Sequence, residues 1–370
     1  MSQSTFIALA AIFVLAFCFD YINGFHDTAN AIATSVATRA LRPHVAIALS
    51  ASANFVGAIV FGTAVAGTIG SGIVQDTPIV GHPTVLAAAL LGAIGWNLIT
   101  WRLAIPSSSS HALVGGLIGA AWIAFGFQAV QWNNFVAKVV VPLVSSPVLG
   151  LLLGFTLMVI LLNLIGRAVP RRAGGLVRRT VGLGPANSVS GDEGTTPRRI
   201  NDRFRRLQIL SATYMALSHG SNDAQKTMGI MTLALFSAGQ IHDKTVPIPV
   251  ILLAATAMSL GTAAGGWRIM KTMGQGVVKL DPLHGFAAET SAASIILGAS
   301  HFGLPVSTTH VISTAIMGTG TSDRASSVRW GVAGNIARAW VLTIPCTAVI
   351  AAGAYATLES IGAGLRFFGL

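Results

Sequence analysis

Apolar residues in this chain gather into long stretches separated by short polar segments, and many of the stretches are long enough to cross a membrane. Charge-free runs at Leu103–Ala137, Val139–Gly166 and Ala339–Leu358 each reach or exceed the ~20 residues a helix needs to cross a bilayer core. The pattern predicts a first helix from about Phe6 to a basic end at Arg39 and Arg42, then a return over His44–Thr68. A pair of segments follows at Thr84–Leu103 and Ser107–Phe127, joined by a turn rich in Pro and Ser, and a crossing at Phe135–Ile165 is interrupted near Pro142 and Pro147. From Leu207 the plan returns, with Leu207–Ala238, Pro247–Trp267, a second pair at Leu283–Gly303 and Val306–Gly320, and Trp330–Thr357. Either pair can be two full spans or one re-entrant hairpin, and the pattern alone leaves both open.

Polar residues interrupt the apolar runs at matched places. Gly24-Phe25-His26-Asp27-Thr28-Ala29-Asn30 lies inside the first run, and Gly220-Ser221-Asn222-Asp223-Ala224-Gln225-Lys226 repeats its Gly-x-x-Asp frame 196 residues later. Pro106-Ser107-Ser108-Ser109-Ser110-His111 is echoed by Pro305-Val306-Ser307-Thr308-Thr309-His310 at an offset of 199. Two motifs in the same order at nearly the same offset indicate a duplicated unit. Each half makes an odd number of net crossings, so the second is expected to be inserted upside down. The fold class read here is an all-α polytopic membrane protein, an inverted-topology repeat of two homologous halves, each with a broken first helix and a Ser/Thr-bearing pair of segments, hairpin or double span. Its parts are residues 1–166, a linker at 167–206, and residues 207–370.

Composition agrees. Hydrophobic residues make up 53% of the 370 and charged residues only 9%, whereas soluble domains carry about a quarter charged residues. The net charge of +11 does not point to nucleic acid, because ten of the 23 basic residues, all arginine, fall between Arg167 and Arg206 beside apolar spans. Positive-inside bias accounts for them and makes the linker, read as flexible, cytoplasmic. Both termini are then external, in a multi-pass protein of the inner (plasma) membrane, and the loop Ile69–Pro83 with Asp76 is external as well. Met1–Thr5 lack the basic start of a cleaved signal, so the first apolar segment is expected to remain as a helix. Cys18 and Cys346, both in apolar runs, suggest neither a disulfide framework nor a metal site.

Asp27 and Asp223 carry the chemistry. An ionised Asp in hydrocarbon costs about 2.5–3.5 kcal/mol or more, so each needs a proton, a cation or a basic neighbour. As coupling-ion residues they have Asn30 and Asn222 as oxygen donors and His26 as a group that exchanges a proton near neutral pH. Glu289, which has no acidic counterpart in the first half, is a third ion or proton site or a partner for Arg338. Ser108, Ser109 and Ser110, with Ser307, Thr308 and Thr309, offer hydroxyls at helix starts just after a proline, an arrangement suited to an oxyanion. Gln225 and Lys226 are placed with them in the substrate site, although Lys226 can equally neutralise Asp223. A carboxylate acceptor beside hydroxyl donors favours phosphate, which keeps a P–OH, over sulfate, which has only acceptors. His111 and His310 read as capping or hinge residues. Two symmetric Ser-His pairs fit an enzyme with one activated nucleophile poorly.

At these residues the chain resembles the inorganic phosphate transporter (PiT) family, whose patterns are Gly-Ala-Asn-Asp-x-Ala-Asn-Ala and Pro-x-Ser-Thr-Thr-His. Gly24–Ala31 and Ser218–Lys226 follow the first, Pro305–His310 fits the second without change, and Pro106–His111 carries serines where threonines are usual. The resemblance covers nearly the whole chain outside the linker and is strongest to the bacterial low-affinity branch. It implies a proton-coupled symporter that takes up phosphate, often as a divalent-metal phosphate complex, with re-entrant hairpins, no cofactor and a homodimeric assembly. Sodium-coupled members have Asn at the place of His26, and many eukaryotic members have Glu near Asn54; both departures favour protons over sodium. A sulfate or sodium-coupled carrier of the same fold and an anion channel are the rival readings.

Overall fold

The computed structural model describes residues 2–71, 73, 74, 82–168 and 195–367. Among these the regular structure is helical, apart from one antiparallel bridge between Val74 and Val130. The external loop read around Asp76 and most of the linker, residues 169–194, lie outside the described residues.

Helix α1, Gln3–Ala37, starts at Ser2, whose hydroxyl accepts the N–H of Thr5. Its 35 residues reach about 52 Å at 1.5 Å per residue, more than the ~30 Å hydrocarbon thickness. After α2, Pro43–Val60, a glycine with positive φ, Gly62, turns the chain into the short α3, Ala64–Ser71. Then come α4, Pro83–Arg102, and α5, Ser109–Phe125. Helix α6, Val141–Ala168, is entered through a helical turn at Trp132–Phe135 and a π turn at Val136–Val140. The wide turn precedes Pro142, which has no N–H to give and whose ring crowds the preceding turn. The second half answers with α7, Thr195–Ser237; α8, Ile248–Ala264; α9, Trp267–Gly276; α10, Pro282–His301; α11, Thr308–Asp323; and α12, Trp330–Phe367.

The halves match in detail. Gly265, with φ 76°, separates α8 from α9 as Gly62, with φ 83°, separates α2 from α3. Ser108 and Ser307 each cap the following helix by accepting the N–H of the histidine three residues on. Trp132 and Trp330 each donate the indole N–H to a carbonyl five residues back. Helices α1 and α7, which carry the two Asp motifs, run antiparallel to one another. Their side-chain contacts proceed in opposite order along the two helices, from Asp20 with Thr227 through Asn23 with Asp223 to Thr38 with Gln208. Packing is exchanged between halves as well: α5 lies on α12, and α11 on α6.

Several expectations are corrected. Neither first helix is broken, since α1 passes Gly24 and α7 passes Gly220 without interruption. The polar side chains find partners on neighbouring helices, so the backbone has no need to open. The glycines serve close approach instead: a Cβ at Gly24 would collide with the backbone of α8 at Met258 and Thr262, and one at Gly220 with that of α2 at Asn54. The spans expected at His44–Thr68 and Pro247–Trp267 are each divided at the positive-φ glycine. The linker's last part, residues 195–206, is the start of α7, and its Phe204 packs edge-on against Phe286 of α10. Helices α5 and α11 hold 17 and 16 residues, short of a full span, and both are buried over most of their length.

Candidate functional site

The starts of α5 and α11 meet in the middle of the bundle, where the rings of His111 and His310 lie 4.9 Å apart and the Ser110 hydroxyl donates to the Val306 carbonyl at 3.1 Å. Helices α1 and α7 pass beside this junction and bring their motifs to it. Asp27, Asp223, Ser109, Thr308 and Thr309 thus come together from four helices. All fourteen side chains singled out in the sequence are at most 2% exposed, so the centre is shut off from solvent.

Ser109 Oγ lies 3.2 Å from Asp27 Oδ2 and 3.4 Å from Asp223 Oδ2. Asp223 Oδ1 stands 2.6 Å from the ammonium of Lys226 one turn away, and its Oδ2 faces His219 Nε2 and the Asn23 amide, each at 3.5 Å. Of the two roles left open for Lys226, neutralising Asp223 is the one seen. Asp27 Oδ1 is 2.7 Å from His26 Nδ1, and the other ring nitrogen of His26 meets Thr100 Oγ1 at 3.1 Å. Across the junction, Asn30 donates to the hydroxyls of Thr309 at 2.9 Å and Thr308 at 3.4 Å. One ligand atom from each of Asp27, His219 and Asp223 falls within 4.8 Å of the others, close enough to share a cation.

Other expected residues are engaged elsewhere. The hydroxyls of Ser108 and Ser307 are helix caps. Gln225 accepts the N–H of Val65 at 2.8 Å and donates to the Ser221 carbonyl, so it anchors α3. Asn222 donates to Ser300 Oγ at 2.9 Å. Glu289 sits toward the far end of α1, where it receives the hydroxyls of Thr34 and Ser211 and, at 3.3 Å, the Gln208 amide. Arg338, the alternative partner offered for Glu289, is exposed, reaches Asn335 at 3.5 Å and lines a cavity of about 530 Å³ together with Thr100.

Sequence reasoning did not single out Asp20, Asn23, Thr34, Thr100 or His219. A signal was present on α1: Asp20, Asn23, Asp27, Asn30 and Thr34 recur every three or four residues and so form one polar stripe along an otherwise apolar helix.

Residues 23–351 match the phosphate transporter family. A probable low-affinity inorganic phosphate transporter of Bacillus subtilis is 45% identical over 352 residues, which is 95% of this chain and 97% of the relative. Another of that name, from Rhizobium meliloti, is 43% identical over 95% of this chain and 96% of its own length. A solved structure described as the sodium-dependent phosphate transporter superposes with a TM-score of 0.79 at 28% identity, covering 96% of this chain and all of that one.

Proposed function

Starting from the fact that this chain belongs to the phosphate transporter family, and is a multi-pass membrane carrier of phosphate rather than an enzyme, we propose that it imports phosphate in symport with protons. The observation that carries this is the double engagement of His26. The Thr100 hydroxyl has carbonyl acceptors at Trp96 and Asn97, 3.0 and 3.2 Å away. When it donates to one of them, it accepts the Nε2–H of His26, and the 2.7 Å contact to Asp27 must then contain one added proton. When it turns to donate to Nε2, a neutral His26 donates through Nδ1 to ionised Asp27. The pair takes up or gives away a proton without losing a hydrogen bond, and the cavity that Thr100 lines offers the proton a way out.

In this reading the phosphate sits where the N-termini of α5 and α11 converge, held by Ser109, Ser110, Thr308 and Thr309 and by unpaired first-turn N–H groups. Ser109 has one hydrogen and two carboxylates to serve, so an incoming P–OH can satisfy the second. Coupling follows from charge: an anion entering beside Asp27 and Asp223 needs a positive partner in a low-dielectric site. The antiparallel α1 and α7 support the inverted insertion of the halves, with the linker cytoplasmic and both termini external. A second reading, in which phosphate enters complexed with a divalent cation, is favoured by the close approach of Asp27, His219 and Asp223.

The test is labelled-phosphate uptake into proteoliposomes under an imposed pH gradient, a sodium gradient or neither, with and without magnesium. Accumulation driven by the pH gradient and lost in Asp27→Asn and Asp223→Asn is expected. Accumulation driven by sodium alone would overturn the proton assignment, and an absolute need for magnesium would select the complex.

A further inference from the structure

One buried acid is left without a role in the mechanism above. Asp20 lies on the polar stripe of α1, two turns before Asp27, and is fully buried. Its Oδ2 accepts the Thr227 hydroxyl, while Oδ1 has no hydrogen-bond partner among the described residues. The charged groups that act on it are Asp223 and Lys226, both on α7, and the Lys226 ammonium is already against Asp223. The other helices that pack on α1 are α2, α4, α8, α9, α10 and α11; α8 has no titratable residue, Arg102 of α4 lies beyond the level of His26, α9, α10 and α11 meet α1 at Ala33, Thr34 and Asn30, and His44 of α2 follows its end. Ala16 and Phe19 beside Asp20 belong to an apolar cluster. The position that matches Asp20 in the second half is Ala216, so no pseudo-symmetric partner explains it.

Charge accounting sets the alternatives. With Asp20, Asp27 and Asp223 ionised and Lys226 the one permanent cation among them, the seam between α1 and α7 would bury two uncompensated negative charges. Sharing a proton in the His26–Asp27 pair removes one. The other stays on Asp20, which has a single hydroxyl donor and no cation of its own, and an isolated carboxylate in such surroundings takes a proton. A cavity of about 480 Å³ lined by Ser4, Ile12, Pro83, Ala234 and Ser237 opens at this end of the seam, and Ala16 lies on α1 between its Ile12 wall and Asp20.

We infer that Asp20 is a second proton-binding site, loaded from the cavity beside the start of α1 and emptied in each cycle, so that phosphate is accompanied by a proton on Asp20 as well as the one held by His26 and Asp27. The step is simple: the carboxylate takes H⁺ from hydronium to give the acid and water, then returns it when the seam opens to the other side. This rests on the proton-symport reading, and the test separates the two.

Purified wild type, Asp20→Asn and Asp20→Glu are reconstituted, and the limiting accumulation of labelled phosphate is measured at several imposed pH gradients, alongside phosphate counterflow at equal pH. One proton fewer per cycle lowers the limiting accumulation of Asp20→Asn about tenfold for each pH unit of gradient, while counterflow persists and Asp20→Glu keeps the wild-type slope. A wild type that does not respond to the pH gradient defeats the symport reading and this inference with it. A responsive wild type whose slope is unchanged in Asp20→Asn defeats the inference alone. Loss of counterflow in both variants, with wild-type thermal unfolding in detergent, would also overturn it by making Asp20 part of the substrate site.

Discussion

Asp27 and Asp223 lie 196 residues apart in the chain, yet both address one hydroxyl: Ser109 Oγ stands 3.2 Å from Oδ2 of the first and 3.4 Å from Oδ2 of the second. Since a hydroxyl donates once, the two acids compete for it, and whatever enters the centre meets one carboxylate short of a donor. Ser109→Ala removes the shared donor. Hydrogen bonds to charged groups contribute about 1.5–3 kcal/mol, so phosphate affinity in counterflow should fall roughly 10- to 100-fold. Ser109→Thr should recover most of it, because the matched place in α11 is Thr308. An unchanged KM in Ser109→Ala would remove Ser109 from the binding site.

Lys226 bears on stability as much as on transport. Its ammonium is fully buried 2.6 Å from Asp223, and removing one member of a buried pair strands the other at a cost of about 3–5 kcal/mol. Lys226→Met should therefore lower the unfolding temperature in detergent markedly. The double variant Lys226→Met with Asp223→Asn should regain most of the loss without regaining transport. Equal melting of the single and double variants would show that the pair is not coupled.

Gly24 and Gly220 test why the first helices are continuous. A Cβ at either would overlap the backbone of the facing helix, forcing α1 away from α8 or α7 away from α2 close to the aspartates. Gly24→Ala and Gly220→Ala should each reduce both folded yield and uptake. Gly67→Ala, where an added Cβ meets nothing within 4 Å, should do neither. Normal uptake in Gly24→Ala would mean that the helices are not held this close.

Much of this arrangement was legible in the sequence for a plain reason: burial in a bilayer demands runs of apolar residues, and duplication leaves the same polar residues at the same offset. The apolar segments and the matched motifs follow from those two regularities, whereas the sharing of Ser109 by Asp27 and Asp223 is seen only in the folded chain. What was not legible depends on partners distant in sequence. Gly24 looks like a helix break until Met258 and Thr262 are seen against it. Gln225 sits in a motif but anchors α3 through Val65, and Asp20 stands alone in an apolar run until Thr227 is found opposite. The helical start of α7 was hidden because its arginines suit a solvated face whether or not the segment is ordered.

At the foot of the second pair of segments, the start of α10 is tied to the end of α11. His284 bridges Asp281, which caps α10, and Asp323, the last residue of α11, at 2.9 Å each, so one imidazolium ties the entrance of the pair to its exit. Burial opposes the charge, but hydrogen bonds and attraction from the two carboxylates prevail and raise the His284 pKa from 6.5 to about 9. The same contact holds Asp281 below its ordinary value, against the effect of its own burial. For a base whose folded pKa lies above its unfolded one, the added stability is complete below about pH 6.5 and disappears as the pH rises through 9. That difference corresponds to an effect on the order of 3 kcal/mol. His284→Gln should melt well below wild type at pH 6, and the gap should close toward pH 10. A gap that is constant with pH would show that His284 contributes by packing rather than by charge.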